Sequence, residues 1–407
     1  LAVQAFVTTT GLQQHFIDYD APYLADSPFR LRATIGYERN TSASYFGRGA
    51  ATLQPLSYPG ATRSYATIRE YISALRQIGP DGVTHTLYNK YDLEAPGVRA
   101  SLERVSLQGL IRLQAGLGFS YVRIRDYSGA PTSGDDPAHG KSDVHATQSS
   151  TRLREDCQSG LLVGCAGGLH NTLKLGVALD TRDYEPDPNS GMFIDLTGEF
   201  SSRMLGSAFD YARMTFAARG FLSLFPGITD LVVAARAVYS MQTAGTPFFA
   251  MSTLAFTDMD RQGLGGLWSL RGYRQERFVG PVAALANLEL RWTFVAFDLL
   301  SQHIALAVVP FLDVGRVFDR VDDASFKLWK LGSGGALQVG ATTHTGHGRQ
   351  QLQERIQTLR RQLAALRAVR GRSRRRRAPV LNGLRRFVSS RRGRFARTPA
   401  GRSSSSH

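Results

Sequence analysis

Arg271 stands in the stretch "GLGGLWSLRGYRQERFVGP", residues 263 to 281, where Gly263, Gly265, Gly266, Gly272 and Gly280 surround an Arg-Gly-Tyr step completed by Tyr273. Two carboxylates follow at short range, Glu289 in "NLELRW" and Asp313 in "PFLDVGRVF". A guanidinium offers a planar fork of donors that can hold two carboxylates in a directional grip. Glycines let a backbone turn tightly and approach a wall. The chemistry these residues suggest is non-covalent: a loop folded inward and latched by Arg271 on Glu289 and Asp313. The bland reading is an exposed loop arginine near ordinary polar residues, with Arg291 as a same-strand partner for Glu289.

Other candidates for chemistry are weaker. "SGDDPAHGKSD" contains Gly-Lys-Ser, but position 135 is Asp where a phosphate-binding loop needs its first glycine, and Gly134 is one residue too early. His139 and His145 have acids nearby without a spacing that enforces a metal site. Neither Gly-x-Ser-x-Gly nor His-Glu-x-x-His occurs, so a hydrolase has no support. No catalytic residue, metal or cofactor is expected.

The elements that must position Arg271 are strands. In "NTLKLGVALDTRD" Leu173, Leu175, Val177 and Leu179 alternate with Thr172, Lys174, Gly176 and Asp180. "GMFIDLTGEF" sets Met192, Ile194 and Leu196 against Asp195, Thr197 and Glu199, and "VAALANLELRWTF" sets Leu288, Leu290 and Trp292 against Asn287, Glu289 and Arg291. Alternation means one dry face, which a soluble sandwich also shows. Long strands, tight turns at 185 to 190 and 225 to 230, long loops at 39 to 62, 127 to 168 and 243 to 281, and a polar parity too charged for a packed core favour a membrane barrel. Asp195 and Glu199 then read as ordinary lumen polarity. The apolar run "LVVAARAVYSM" is interrupted by Arg236, so no helix can span a bilayer.

Twelve strands are expected near residues 2 to 9, 13 to 22, 28 to 38, 85 to 105, 108 to 125, 169 to 182, 191 to 201, 209 to 224, 229 to 242, 282 to 296, 302 to 318 and 331 to 341. The fold class is all-β, an antiparallel transmembrane barrel over residues 1 to 341, incomplete, with a basic tail at 342 to 407.

The formal charge is +16, yet from Gly348 onward there are 18 Arg and one acid, Glu354, so the body is close to neutral. The tail uses Arg without Lys, a bias that GC-rich DNA yields when read out of frame, and a frameshift is the favoured explanation. A real basic arm that binds phosphates or anionic lipid is the alternative, and with it a nucleic-acid reading that lacks interleaved aromatics. Cys157 and Cys165 in "DCQSGLLVGC" would bond in an oxidising compartment; two incidental thiols fit the spacing equally.

"SLRGYRQERFVGP", "NLELRW", "PFLDVGRVF" and "ALDTRDYEPDPNSGMFIDLTGEF" together resemble the BamA/TamA-type outer-membrane assembly and translocation superfamily, also called the bacterial surface antigen family. The resemblance implies a sixteen-stranded barrel behind periplasmic modules, in the bacterial outer membrane. It implies contact with outer-membrane lipid, an unfolded or secreted client polypeptide, and periplasmic accessory proteins. Arg271, Gly272 and Tyr273 match the family's loop motif, and Glu289 and Asp313 match its two acids. A passive pore is the alternative function on the same architecture.

Overall fold

The computed structural model describes residues 1 to 343 except Pro186, Met259, Leu300, Ser301, Ala324 and Phe326. The readings made of the tail therefore lie outside the described residues, apart from 342 and 343. The chain divides into two units, Leu1–Ala296 with Ala305–Val339, and Phe297–Ile304 with Gly340–His407. The description that follows concerns the first.

Twelve strands form one sheet in chain order: β1 (Ala2–Val7), β2 (Leu12–Ala21), β3 (Phe29–Ser44), β4 (Lys90–Ser106), β5 (Ile111–Asp126), β6 (Gly167–Asp180), β7 (Gly191–Ser201), β8 (Tyr211–Ser223), β9 (Asp230–Gln242), β10 (Val282–Leu299), β11 (Gln302–Phe318) and β12 (Lys330–Thr343). Among the described residues no ladder joins β1 to β12. No described helix is long and apolar enough to cross a membrane.

Burial is inverted relative to a water-soluble sheet. On β7, Asp195, Thr197 and Glu199 are 0%, 0% and 4% exposed, while Leu196 between them is 41% exposed. The same holds on β10, where Asn287 is buried and Leu288, Leu290 and Trp292 face outward. Every backbone donor and acceptor of such strands is satisfied sideways, so a lipid-facing apolar belt and a polar interior are compatible with a bilayer. This is the antiparallel barrel architecture read from the alternation.

The long loops hold more structure than their polar composition announced. β3 runs on to Ser44, so 39 to 44 is strand and not loop, whereas β4 begins only at Lys90 because residues 86 to 89 turn. Between them α1 (Ile68–Leu75) is capped by the Thr67 hydroxyl, which accepts from Glu70 N at 3.3 Å. Residues 127 to 166 contain a hairpin, Pro131–Asp136 with Lys141–Gln148, and α2 (Arg152–Gln158), capped by Thr151. The second hairpin strand also pairs with Val83–Thr84, so the two loops fold as one cap over a cluster of Tyr65, Tyr71 and Tyr88.

Cys157, in the last turn of α2, is bonded to Cys165 beyond the helix. Closing so short a loop contributes about 2–3 kcal/mol by the chain-entropy account. Reduction is therefore expected to expose residues 152 to 166 to protease while leaving the heat-modifiable gel mobility of the sheet unchanged. Unchanged cleavage after verified reduction would contradict this.

Candidate functional site

Residues 243 to 281 connect β9 to β10 and turn inward. The segment has a turn of helix at Phe248–Met251, a short hairpin of Thr253–Leu254 with Arg261–Gln262, and a bridge between Leu264 and Phe278. Its Leu254, Phe256, Leu264, Leu270 and Phe278 pack on Ala217, Val238, Leu285 and Val317 of the inner wall. The inward parity therefore does carry a packed core at this level, built between wall and loop rather than between two sheets.

Arg271 lies on that wall. Its Nε donates to Asp313 Oδ2 at 2.8 Å, its Nη2 to Asp313 Oδ1 at 2.7 Å, its backbone N to Asp313 Oδ2 at 2.9 Å, and its Nη1 to Glu289 Oε1 at 2.7 Å. Asn287 Nδ2 adds a bond of 2.7 Å to Asp313 Oδ1 and also donates to Ser269 O. Four donors thus fill the four lone-pair positions of a carboxylate with 0% exposure. Arg291 takes the other Glu289 oxygen, at 2.9 and 3.0 Å, so it completes the pair instead of competing with it. The Phe311 ring lies 3.6 Å from the Arg271 guanidinium carbon, a cation–π contact. Hydrogen bonding to Asp313 and then Glu289 holds the Arg271 guanidinium above its ordinary value.

The neighbouring residues fix the loop's path. Gly265 has φ +110°, and a Cβ there would stand 2.1 Å from Arg274 O. Gly332 of β12 admits Arg271 O at a point only 2.1 Å from where its own Cβ would be. Gly272 takes φ +90° at the tip, Gly263 N donates to Ser252 O at 2.6 Å, and Gly266 N to Tyr273 O at 2.9 Å. Tyr273 packs edge-on to Phe278 and donates to Leu331 O at 3.2 Å. Gly280 sits beside Gly49, whose N donates to Val279 O at 2.7 Å. Ser269, buried and unremarked in the sequence, receives Gly265 N and donates within 3.0 Å of the Gly263 and Gly265 carbonyls.

The first half of the loop is anchored by residues that read only as lumen polarity. Asp195 Oδ2 accepts from Thr257 N at 2.9 Å and from its hydroxyl. Glu199 Oε1 accepts from Arg213 Nη2 at 2.6 Å and Tyr211 OH at 2.8 Å, while Arg213 Nη1 donates to Ala250 O and Thr253 O, both at 2.9 Å. Lys174 Nζ reaches Asp260 Oδ1 at 2.6 Å. Glu199 and Arg213 are direct register partners on β7 and β8, the signal that could have marked them as a pair. Arg277 closes the far end by donating to Thr52 O and Gln54 O, and burial pulls its guanidinium down to about 10.

Glu276, at φ +56°, is partly buried facing the Glu38 carboxylate, and burial, reinforced by that charge, pushes it up to about 7. A carboxyl raised in the folded state stabilises it fully below the unfolded pKa of about 4.5 and loses that contribution as pH rises through about 7. Protease resistance of the loop is expected to fall between pH 4.5 and 8, and to become flat with pH in Glu276→Gln. An equal pH slope in both proteins would refute the assignment.

His139 bonds Asp136 at the exposed hairpin tip, and His145 lies on the paired strand; among the described residues no group of three His, Cys, Asp or Glu is placed to hold a metal.

The Omp85 superfamily domain matches residues 13–343. No curated protein matches the chain in sequence. Among solved structures it is similar to BamA from Haemophilus ducreyi lacking POTRA domains 1–3, at 14% identity and TM-score 0.45, covering 83% of this chain and 59% of that one. LpxR from Salmonella typhimurium aligns at 8% identity and TM-score 0.29, covering 81% and 88%. A mutant of the ferric enterobactin receptor PfeA from Pseudomonas aeruginosa aligns at 10% and 0.26, covering 77% and 38%. The chain spans less than two thirds of the length of that BamA chain.

Proposed function

This chain belongs to the Omp85 superfamily, and from that premise we propose that it works in the bacterial outer membrane as a barrel that folds or translocates client polypeptides. Residues 1 to 341 are the barrel domain. The loop at 263 to 281 is a latch, held in the lumen by Arg271 on Glu289 and Asp313.

The observation that carries this reading is the saturation of Asp313 by Arg271 and Asn287. A passive pore predicts a charge-lined lumen but no requirement for Arg271. The partners are outer-membrane lipid, an unfolded outer-membrane or secreted polypeptide, and periplasmic accessory proteins met through N-terminal modules. No bond is made or broken, so the work is done by strand pairing at a sheet edge and by the state of the latch.

The test is reconstitution of the protein in lipid vesicles with a urea-denatured outer-membrane protein as client. Faster appearance of folded, heat-modifiable client than with empty vesicles supports the reading. Ion conductance without any acceleration for such clients or for exported chains would replace it with a passive pore.

A further inference from the structure

A second feature of the lumen is left unused by the latch. β8 and β9 place Arg219 and Arg236 at directly opposed register positions, on the inner face shared with Phe193 and Asn287. Like charges directly opposed in a sheet destabilise it, at a separation well inside the screening length of about 8 Å. Asp258 approaches Arg219 only to 3.6 Å, and Arg219 Nε is buried with no hydrogen-bond partner among the described residues. Arg236 bonds only neutral groups, Asn287 Oδ1 at 2.9 Å and Trp268 O. Arg261 rests on the Trp268 ring, 5.0 Å from its centroid, and among the described residues neither it nor Arg236 has a carboxylate in ion-pair range.

These side chains face one cavity of about 480 Å³, lined by six arginines and two glutamates, which extends from the 182 to 188 turn to the inward loop. Three of the six are already engaged: Arg271 and Arg291 share Glu289, and Arg182 holds Asp180. Arg236 and Arg261 remain as a surplus of positive charge beside Trp268 and Phe221, with Arg219 next to them, its only ion pair among the described residues being the longer contact to Asp258. The volume lies within the range of small-molecule sites, roughly 300–1,000 Å³, and exceeds what a lone monovalent anion needs.

We propose that this cavity binds a phosphate-class oxyanion, either a soluble diphosphate-sized anion or the phosphorylated headgroup of a lipid. Planar guanidinium forks match phosphate oxygens in pairs, and a bound dianion removes the repulsion between Arg219 and Arg236. The site is separate from the assembly reading and survives its failure, because it rests on the wall and not on a client.

The test uses the full chain in a neutral detergent, titrated with inorganic pyrophosphate by calorimetry, with Trp268 fluorescence as a second readout. Saturable binding is expected, weakened by about tenfold or more in Arg236→Gln and in Arg261→Gln, consistent with loss of a charge-assisted bond. Lys141→Gln, in the exposed hairpin of the cap, should bind as the parent does. Among the described residues the Arg261 side chain makes no hydrogen bond or ion pair, only its contact with the Trp268 ring, so its variant stays informative if Arg236→Gln folds poorly, as judged by heat-modifiable mobility. Competition by a bisphosphorylated lipid identifies the headgroup as the natural occupant, and pyrophosphate binding without such competition identifies a soluble anion. No saturable binding, or unchanged affinity in both arginine variants, overturns the proposal.

Discussion

Arg271→Ala is expected to release the inward loop and to abolish client assembly while leaving membrane insertion and ion conductance in place. The substitution strips three side-chain donors from Asp313 and Glu289, and leaves a carboxylate with 0% exposure facing only Asn287 and one backbone N. Breaking a buried ion pair from one side typically costs about 3–5 kcal/mol, and with Arg271 and Glu289 side chains 18% and 21% exposed the lower end applies. Arg271→Lys keeps the charge but loses the fork, so it should recover only part of the loss. The readouts are protease cutting within residues 263 to 281, folding of a denatured client, and single-channel current in vesicles. Retention of both assembly and conductance by Arg271→Ala would remove the latch from the mechanism.

The second large effect is expected at Glu199. Its carboxylate is the sole charge partner of Arg213 within ion-pair range among the described residues, and both side chains are almost fully buried, at 5% and 3% exposure. Glu199→Ala leaves that guanidinium in the interior with only backbone carbonyls and the Thr253 hydroxyl for company and removes the carboxylate that Tyr211 bonds, leaving it His170 Nε2. A cost of about 3–5 kcal/mol is expected, read as a lowered urea midpoint in micelles. Glu199→Gln keeps an acceptor and should cost less. A Glu199→Ala midpoint equal to the parent's would show that the anchor carries no weight.

The twelve strands were legible because alternation is a local signal: Leu196 between Asp195 and Thr197 announces a face whatever the rest of the chain does. Parity says that Asp195 and Glu199 point inward, but not what meets them there. Asp195 meets Thr257, 62 residues further on, and Glu199 reaches the loop only through Arg213, which bonds the Ala250 and Thr253 carbonyls, in a loop whose path is set by tertiary packing. Arg271, Glu289 and Asp313 stood out through a motif spread over adjacent elements. Asn287 and Ser269, which complete their geometry, carry no charge to draw notice. The cap was missed for a related reason: α1 and α2 are two turns each, too short for periodicity to separate from polar loop, and their Thr caps alone do not make a helix.

The inward loop is bonded to β6, β7 and β8 in its first half and to β10, β11 and β12 in its second. It therefore acts as a splint across consecutive ladders, including the twelve-residue register of β9 with β10. β1 and β2 share only six register pairs. Restraint along the sheet is lopsided, and a lateral strain on it would be taken up first on the compliant β1–β2 flank.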